Sequence, residues 1–94
     1  MENKKQLLEI FSYTPGAATN YTLTGNEDVV RIDGTTHVGT ILLADAIQTK
    51  GEVTISHVAG TNYTVVKSGS STLHTFGAVG HIHAVSTGSA WVIV

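Results

Sequence analysis

The fold is decided most clearly by the segment GHIHAVSTGSAWVIV, which spans residues 80–94. Two runs rich in β-branched residues flank a Ser/Thr/Gly turn, where Gly88 can adopt a positive φ without a Cβ clash. Trp91 follows in the second run and offers the largest ring to a core of Val, Ile and Ala. We predict a closing β-hairpin whose last strand, from Trp91 to Val94, is paired and covered, because a frayed apolar strand would be costly.

The composition extends this prediction to the whole chain. Val, Ile and Thr supply 32 of the 94 residues, and these β-branched side chains favour strands over helices. Ten glycines stand against one proline, Pro15, and Gly16, Gly25 and Gly34 lie nine residues apart. Such regular turn signals between short β-branched runs are typical of a sandwich or barrel.

Alternating side chains place the strands. Val53, Ile55 and His57 share one face of their run, as expected for a half-buried strand. We therefore expect an all-β fold, a compact antiparallel β-sandwich or barrel of about seven to nine short strands. The predicted strands lie near residues 20–24, 28–33, 37–43, 51–58, 62–67, 71–76, 80–86 and 90–94.

The first fifteen residues are ambiguous. Leu7, Leu8 and Phe11 have a spacing that a short helix could use, whereas residues 10–13 could equally form an edge strand. Because Pro15 then breaks the chain, we interpret residues 1–15 as an N-terminal arm or first strand that docks on a neighbour, and residues 16–94 as a single β domain. Residues 43–48 could form one helical turn.

The small apolar side chains favour an oligomer. Only six residues are aromatic, and the chain has no cysteine with which to form a disulfide. A chain of this size buries only roughly 60–70% of its unfolded surface. Small cores of this kind are often completed by association with further copies.

The charge and hydropathy patterns argue against several partners. The net charge is −2, and the five Lys and Arg residues form no basic stripe, so we expect no nucleic-acid partner. No apolar run approaches the ~20 residues that span a bilayer, so we expect no membrane partner. The first residues lack the apolar stretch of a signal peptide, which predicts assembly in a cytoplasm.

The second half of the chain carries a family resemblance. Its successive segments are ILLADA (41–46), GEVTI (51–55), NYTVV (62–66), the Ser/Gly turn at 68–71 with Thr75 and Phe76, and GHIHAVSTGSAWV (80–92). In this order they resemble a β-rich module of bacteriophage capsid decoration (cement) and tail-fibre proteins.

The resemblance implies a non-enzymatic virion structural protein without cofactor or catalytic residues. We expect a capsid decoration protein, a homotrimer assembled in the host cytoplasm, that stabilises the head shell by binding across subunits of the major capsid protein. A chain that starts at Met1 and stops at Val94 favours this role over a long fibre. The alternative is a tail-fibre or head-fibre module for attachment to host-surface glycans, with Tyr13, Tyr21 and Tyr63 stacking on sugars.

Two sets of residues are the candidate sites. The expected contacts with further copies and with the capsid are Leu7, Leu8, Phe11, Tyr13, Trp91 and Ile93. His81 and His83 flank Ile82 and so project from one face of a strand. Six such imidazoles around a three-fold axis could bind an octahedral Fe, Ni or Zn ion, whereas the alternative is a solvent-facing polar pair. We do not interpret Ser–His proximity as a nucleophile in a chain with five His residues.

Overall fold

Two sheets of β-strands build the computed structural model, which describes residues 9–16, 19–45 and 51–94. No helix occurs within these ranges. The strands are β1 (Ile10–Tyr13), β2 (Thr19–Thr22), β3 (Val29–Gly34), β4 (Gly39–Leu42), β5 (Gly51–Gly60), β6 (Thr64–Ser68), β7 (Ser71–Phe76), β8 (Gly80–Ser86) and β9 (Trp91–Ile93).

The chain crosses between the sheets at almost every step. One sheet has the order β1-β3-β5-β8-β9 and the other the order β2-β4-β6-β7. Because the chain leaves one sheet and returns to it in the same direction, β1, β3 and β5 pair in parallel, and so do β2, β4 and β6. A tight turn at Gly69 (φ 60°) then reverses the chain, and β7, β8 and β9 pair antiparallel to their neighbours.

The predicted fold class is confirmed as an all-β arrangement of two sheets with nine strands among the described residues. The antiparallel direction is wrong for four of the seven ladders. Side-chain alternation reports which face a residue occupies and says nothing about its neighbouring strand, so it could not detect the crossovers that parallel pairing requires.

The predicted strands are all present, with bounds shifted by a few residues. Of the two alternatives for residues 10–13, the edge strand is the one observed, since β1 lies at the end of the five-stranded sheet. Residues 43–45 are not helical, and the rest of the segment interpreted as a helical turn lies outside the described residues. The same holds for residues 1–8 of the N-terminal segment.

The core forms where inward-facing residues of neighbouring strands lie level with one another. Val30 lies level with Ile55, and Ile55 with Ile82, across the five-stranded sheet. Ile41 and Val66 lie level across the four-stranded sheet. The buried hydrophobic residues are Tyr13, Leu23, Val30, Ile32, Ile41, Leu43, Val53, Ile55, Val66, Phe76, Ile82, Ala84 and Trp91.

Trp91 joins the two sheets at one end of the core. Its side chain is 7% exposed, and its indole Nε1–H donates to the carbonyl oxygen of Ala44 at 2.7 Å. Ala44 follows β4 in the four-stranded sheet, whereas Trp91 begins β9 in the five-stranded sheet. Gly88 has φ 95°, as predicted for the preceding turn. The closing hairpin is therefore a determinant of the fold.

His57 occupies the core as a nearly apolar side chain. It is 1% exposed and stacks on Phe76, with ring centroids 5.5 Å apart and 10° between the ring planes. Neither ring nitrogen has a hydrogen-bond partner within the described chain, and the same is true of the Thr64 hydroxyl. An unsatisfied buried polar group costs about 1–3 kcal/mol. Packing of the imidazole must offset that cost.

Gly60 marks the closest approach of two strands. It has φ 83°, and a Cβ at this position would lie 2.3 Å from the carbonyl carbon and oxygen of Gly34. Gly69 has a similar φ of 60°, yet a Cβ there would meet nothing within 4 Å. Both positions therefore require a positive φ, and they differ in the space available to a Cβ atom.

We expect Gly60→Ala to lower the free energy of unfolding by about 3 kcal/mol or more, because β3 and β5 must separate. Gly69→Ala, the matched control, should cost about 1–2 kcal/mol, the price of a left-handed alanine alone. Urea unfolding of both variants measures the difference. Equal losses would contradict the close contact between the ends of β3 and β5.

The turn between β2 and β3 is closed by the carboxylate of Glu27. It accepts hydrogen bonds from the backbone N–H groups of Thr24 and Gly25 at 3.1 Å and from the Thr24 hydroxyl at 3.1 Å. Partial burial by itself would raise the pKa of Glu27, but these hydrogen bonds outweigh it and hold the pKa below its usual value.

A depressed pKa means that the ionised Glu27 stabilises the fold above the pKa of the unfolded carboxyl, and that this stabilisation is lost as the pH falls through the lower folded pKa. We therefore expect Glu27→Gln to be less stable than the wild type at pH 7, and the gap to close below about pH 4. Urea midpoints at several pH values test this. Glu9→Gln, which removes one exposed charge, is the control; a Glu27→Gln gap that does not vary with pH would contradict the assignment.

Candidate functional site

The outer face of the five-stranded sheet carries the predicted histidine pair. His81 and His83 face outward on β8, while Ile82 between them is buried, so the predicted shared face is confirmed. His83 lies level with Thr54 of β5, and His81 lies level with Ser56. The long strand β5 thus supplies the polar neighbours of both imidazoles.

A hydrogen-bonded chain runs across these two strands. Thr54 Oγ1 lies 3.1 Å from Nδ1 of His83, and Nε2 of His83 lies 2.6 Å from Oε1 of Glu52. If Nε2–H donates to the Glu52 carboxylate, Nδ1 accepts from the Thr54 hydroxyl. This order of hydroxyl, imidazole and carboxylate is also used to activate nucleophiles.

The surroundings of Thr54 favour a structural interpretation. Its backbone N–H donates to the carbonyl oxygen of Asp28 at 3.0 Å, so that group is not available to an oxyanion. The side chains of His83 and Glu52 are 36% and 68% exposed, and solvent screens their attraction. The chain of contacts therefore links β5 to β8 on the surface, and we expect it to contribute at most about 1 kcal/mol.

The predicted metal site stays a prediction. Among residues 9–16, 19–45 and 51–94, no group of three or more His, Cys, Asp or Glu side chains could hold a metal ion. One chain offers two outward imidazoles, and His83 already contacts Glu52. A metal would need imidazoles from further copies.

The expected contact residues fall into three groups. Tyr13 and Trp91 are buried in the core of the single chain, at 8% and 7% exposure, and their part in contacts with further copies stays a prediction. Phe11 is half-buried, and Ile93 is exposed on β9. Leu7 and Leu8 lie outside the described residues.

Only one of the three tyrosines considered for sugar stacking is presented to solvent. Tyr13 is buried, and Tyr21 stacks on Phe11 with ring centroids 4.2 Å apart and 13° between planes. Both fill strand positions that face the core. Tyr63, in contrast, is 62% exposed in the loop before β6 and lies against Gly77.

Tyr63 belongs to a surface that the sequence did not reveal, which we call the uncharged tip. It consists of three loops at one end of the two sheets, residues 35–38, 61–63 and 77–79, and contains no Asp, Glu, Lys or Arg. Val38, Tyr63 and Val79 are its exposed large hydrophobic residues. Asp33 lies just below the tip, where its carboxylate accepts from the N–H and hydroxyl of Thr35.

Hydrogen bonds connect two of the three loops of the uncharged tip, residues 35–38 and 61–63, through the strand ends that flank them. Asn62 donates from its backbone N–H at 3.0 Å and from its side-chain amide at 2.8 Å to the carbonyl oxygen of Gly34. Gly39 N–H donates to the carbonyl oxygen of Tyr63 at 3.0 Å. The exposed apolar side chains therefore sit on a connected frame.

The opposite end of the sheets is acidic. Glu27 and Asp28 lie in the connection between β2 and β3, and Asp45 follows β4. Glu9 precedes β1, and Glu52 opens β5 at the same end. The described part of the chain thus has an uncharged end and an end at which these five acidic residues outnumber one cation, Lys67. Sequence reasoning missed this polarity because the loops that share an end are known only once the crossovers are known.

Comparisons with known proteins leave the chain without an assigned family. No family model matches the sequence, and no curated protein is significantly similar to it. Within the residues that the structure describes, no helix is long and apolar enough to cross a membrane.

We expect the double variant His81→Ala/His83→Ala to have the same metal content as the purified wild type. Its free energy of unfolding should lie within about 1 kcal/mol of the wild-type value, because surface pairs of this kind contribute little. Elemental analysis and urea unfolding give the two readouts. A stoichiometric metal in the wild type, lost together with thermal stability in the variant, would contradict this and establish the site.

Proposed function

We propose that the chain is a non-enzymatic structural protein of a phage virion, a capsid decoration (cement) protein that forms a homotrimer and braces subunits of the major capsid protein. The observation that carries the proposal is the apolar surface left exposed on β9 and beyond. Val92, Ile93 and Val94 are 41%, 39% and 74% exposed although β9 pairs with β8.

Exposed apolar strands favour a subunit that is bound to another protein over a subunit that is free in solution. Burying a Val or Ile side chain fully contributes about 1.5–3 kcal/mol, so covering these three residues would supply a sizeable part of a subunit contact. An uncovered apolar edge strand is also an aggregation hazard that folded proteins usually blunt with charge. A subunit that is covered in its assembly has no such need.

The uncharged tip gives the proposed protein a second contact surface. Val38, Tyr63 and Val79 form an exposed apolar group without charged residues in its loops, and apolar area with few charges is typical of the centre of protein interfaces. Shell stabilisation needs no chemistry: a protein that binds only the assembled shell stabilises it by its binding free energy. The N-terminal segment, residues 1–15, is the further docking element that we propose from the sequence, and its residues Ile10–Tyr13 form the edge strand β1.

A fibre-type module that binds host glycans is the second candidate. The exposed ring of Tyr63 supports it, because sugars commonly stack on accessible aromatic faces. The other two tyrosines do not support it, since they pack inward.

We expect capsids that lack this protein to lose resistance to heat, and addition of the wild type to restore it. Val38→Asp/Val79→Asp should fail to restore it, because two buried charges would oppose contact at the uncharged tip. Thr72→Asp, on the exposed part of β7 away from the tip, is the matched control. Thermal shift of purified capsids measures the effect.

A further variant, Tyr63→Ala, separates the two candidate functions. Under the fibre hypothesis, Tyr63→Ala lowers phage adsorption to its host while the heat resistance of the shell is unchanged. Normal heat resistance of capsids without the protein would contradict the decoration role.

A further inference from the structure

The five-stranded sheet is open at both of its ends. β1 pairs only with β3 and β9 only with β8 among the described strands. β1, β3 and β5 run in one direction, β8 runs against them, and β9 runs against β8. The two edge strands of this sheet, β1 and β9, therefore run the same way.

The peptide groups of β9 define what its open edge offers. Val94 N–H donates to the carbonyl oxygen of His83, and the carbonyl oxygen of Ala90 accepts from Thr87 N–H. Peptide groups alternate in direction along a strand. The N–H and C=O groups of residues 90, 92 and 94 therefore face β8, and the N–H and C=O groups of Trp91 and Ile93 face the open edge.

The same alternation holds for β1. The carbonyl oxygen of Glu9 accepts from Val29 N–H, so residues 9, 11 and 13 turn their peptide groups toward β3. Those of Ile10 and Ser12 face the open edge. In a parallel pair, a residue with peptide groups facing its partner lies level with one whose groups face away. Ile93 can therefore lie level with Phe11 of another copy, both facing inward.

The side chains at these two edges are mainly apolar on both faces of the sheet, with Ser12 as the exposed polar residue of β1. Ile10 is 59% exposed on the outer face of β1, and Val92 and Val94 are exposed on the outer face of β9. Phe11 and Ile93 face inward. Phe11 is half-buried, and Ile93 is exposed. The edges of the four-stranded sheet differ, since β2 and β7 present mainly Thr, Ser and Asn to solvent.

We propose that the open edge of β9 binds the open edge of β1 of a second copy of this chain, in a parallel, head-to-tail sheet junction. Val92 then lies beside Ile10 of the next copy on the outer face, and Ile93 beside its Phe11 on the inner face. Each copy supplies one edge and receives the other, and we propose that the series of junctions closes after three copies, which gives the trimer a ring instead of an open filament. This inference rests on the proposed assembly and names the contact that builds it.

The absence of cysteine makes a cross-linking test clean. Under mild oxidation, the double variant Ile10→Cys/Val92→Cys should run as a covalent trimer on a non-reducing gel and return to monomer with reductant. Each single-cysteine variant alone should run as a monomer on the same gel, because its cysteine has no second cysteine opposite it at the junction. A mixture of the two single variants, refolded together, should give covalent dimers.

Several outcomes would overturn the junction. Dimers from Val92→Cys alone would indicate a two-fold β9–β9 contact in its place. A second double variant, Ile10→Cys/Val94→Cys, covers a register shifted by two residues. If neither double variant cross-links although the wild type is trimeric by light scattering, the junction is wrong and the assembly stands. A wild type that is monomeric at high micromolar concentration would overturn both.

An edge-blocking variant gives an independent readout in the native fold. Ile93→Pro removes an N–H that faces the open edge and leaves the hydrogen bonds from β9 to β8 in place. We expect it to be folded by circular dichroism and monomeric by light scattering. Trimers of a folded Ile93→Pro protein would contradict the junction. Thr72→Pro in the edge strand β7 is the matched control and should remain trimeric, because Ser68 and Ser71 close the turn and the peptide groups of Thr72 then face the open edge.

Discussion

The crossing of the chain between two sheets is the constraint from which the other features follow. Because each strand from β2 to β6 is reached from the opposite sheet, the first six strands pair in parallel within their sheets. The connections then gather at the two ends of the sheets, which produces one uncharged end and one acidic end. The same path leaves β1 and β9 running in one direction at opposite edges of one sheet.

The chain must also change direction and add antiparallel strands before the core is covered. The turn at Gly69 starts the reversal, and β8 then returns along β5 over seven paired residues. Trp91 fills the end of the core and donates its indole N–H to the other sheet, so the last hairpin ties together strands distant in sequence. The packing also accommodates His57, whose buried imidazole stacks on Phe76 and has no hydrogen-bond partner among the residues that the structure describes.

The described surface combines one cluster of polar side chains with several exposed apolar residues. Where a hydroxyl, an imidazole and a carboxylate meet, at Thr54, His83 and Glu52, the strand pairing uses the N–H of Thr54 and solvent reaches the side chains. The exposed apolar residues, in contrast, occur at an open sheet edge and on a frame of hydrogen-bonded loops. In our proposal, the subunit uses the first of these surfaces for its own copies and the second for a shell.

The sequence by itself determined the positions of the strands, the positive φ of Gly88 and the burial of Trp91, because pleating and turn chemistry depend on near neighbours. It also placed His81 and His83 on one face. Only the tertiary structure decided which strands are neighbours, that most of them run parallel, that Tyr13 packs inward and that Glu52 meets His83. These features depend on how the crossovers bring distant segments together. A hydrophobic pattern with a period of two residues does not indicate which segments become neighbours.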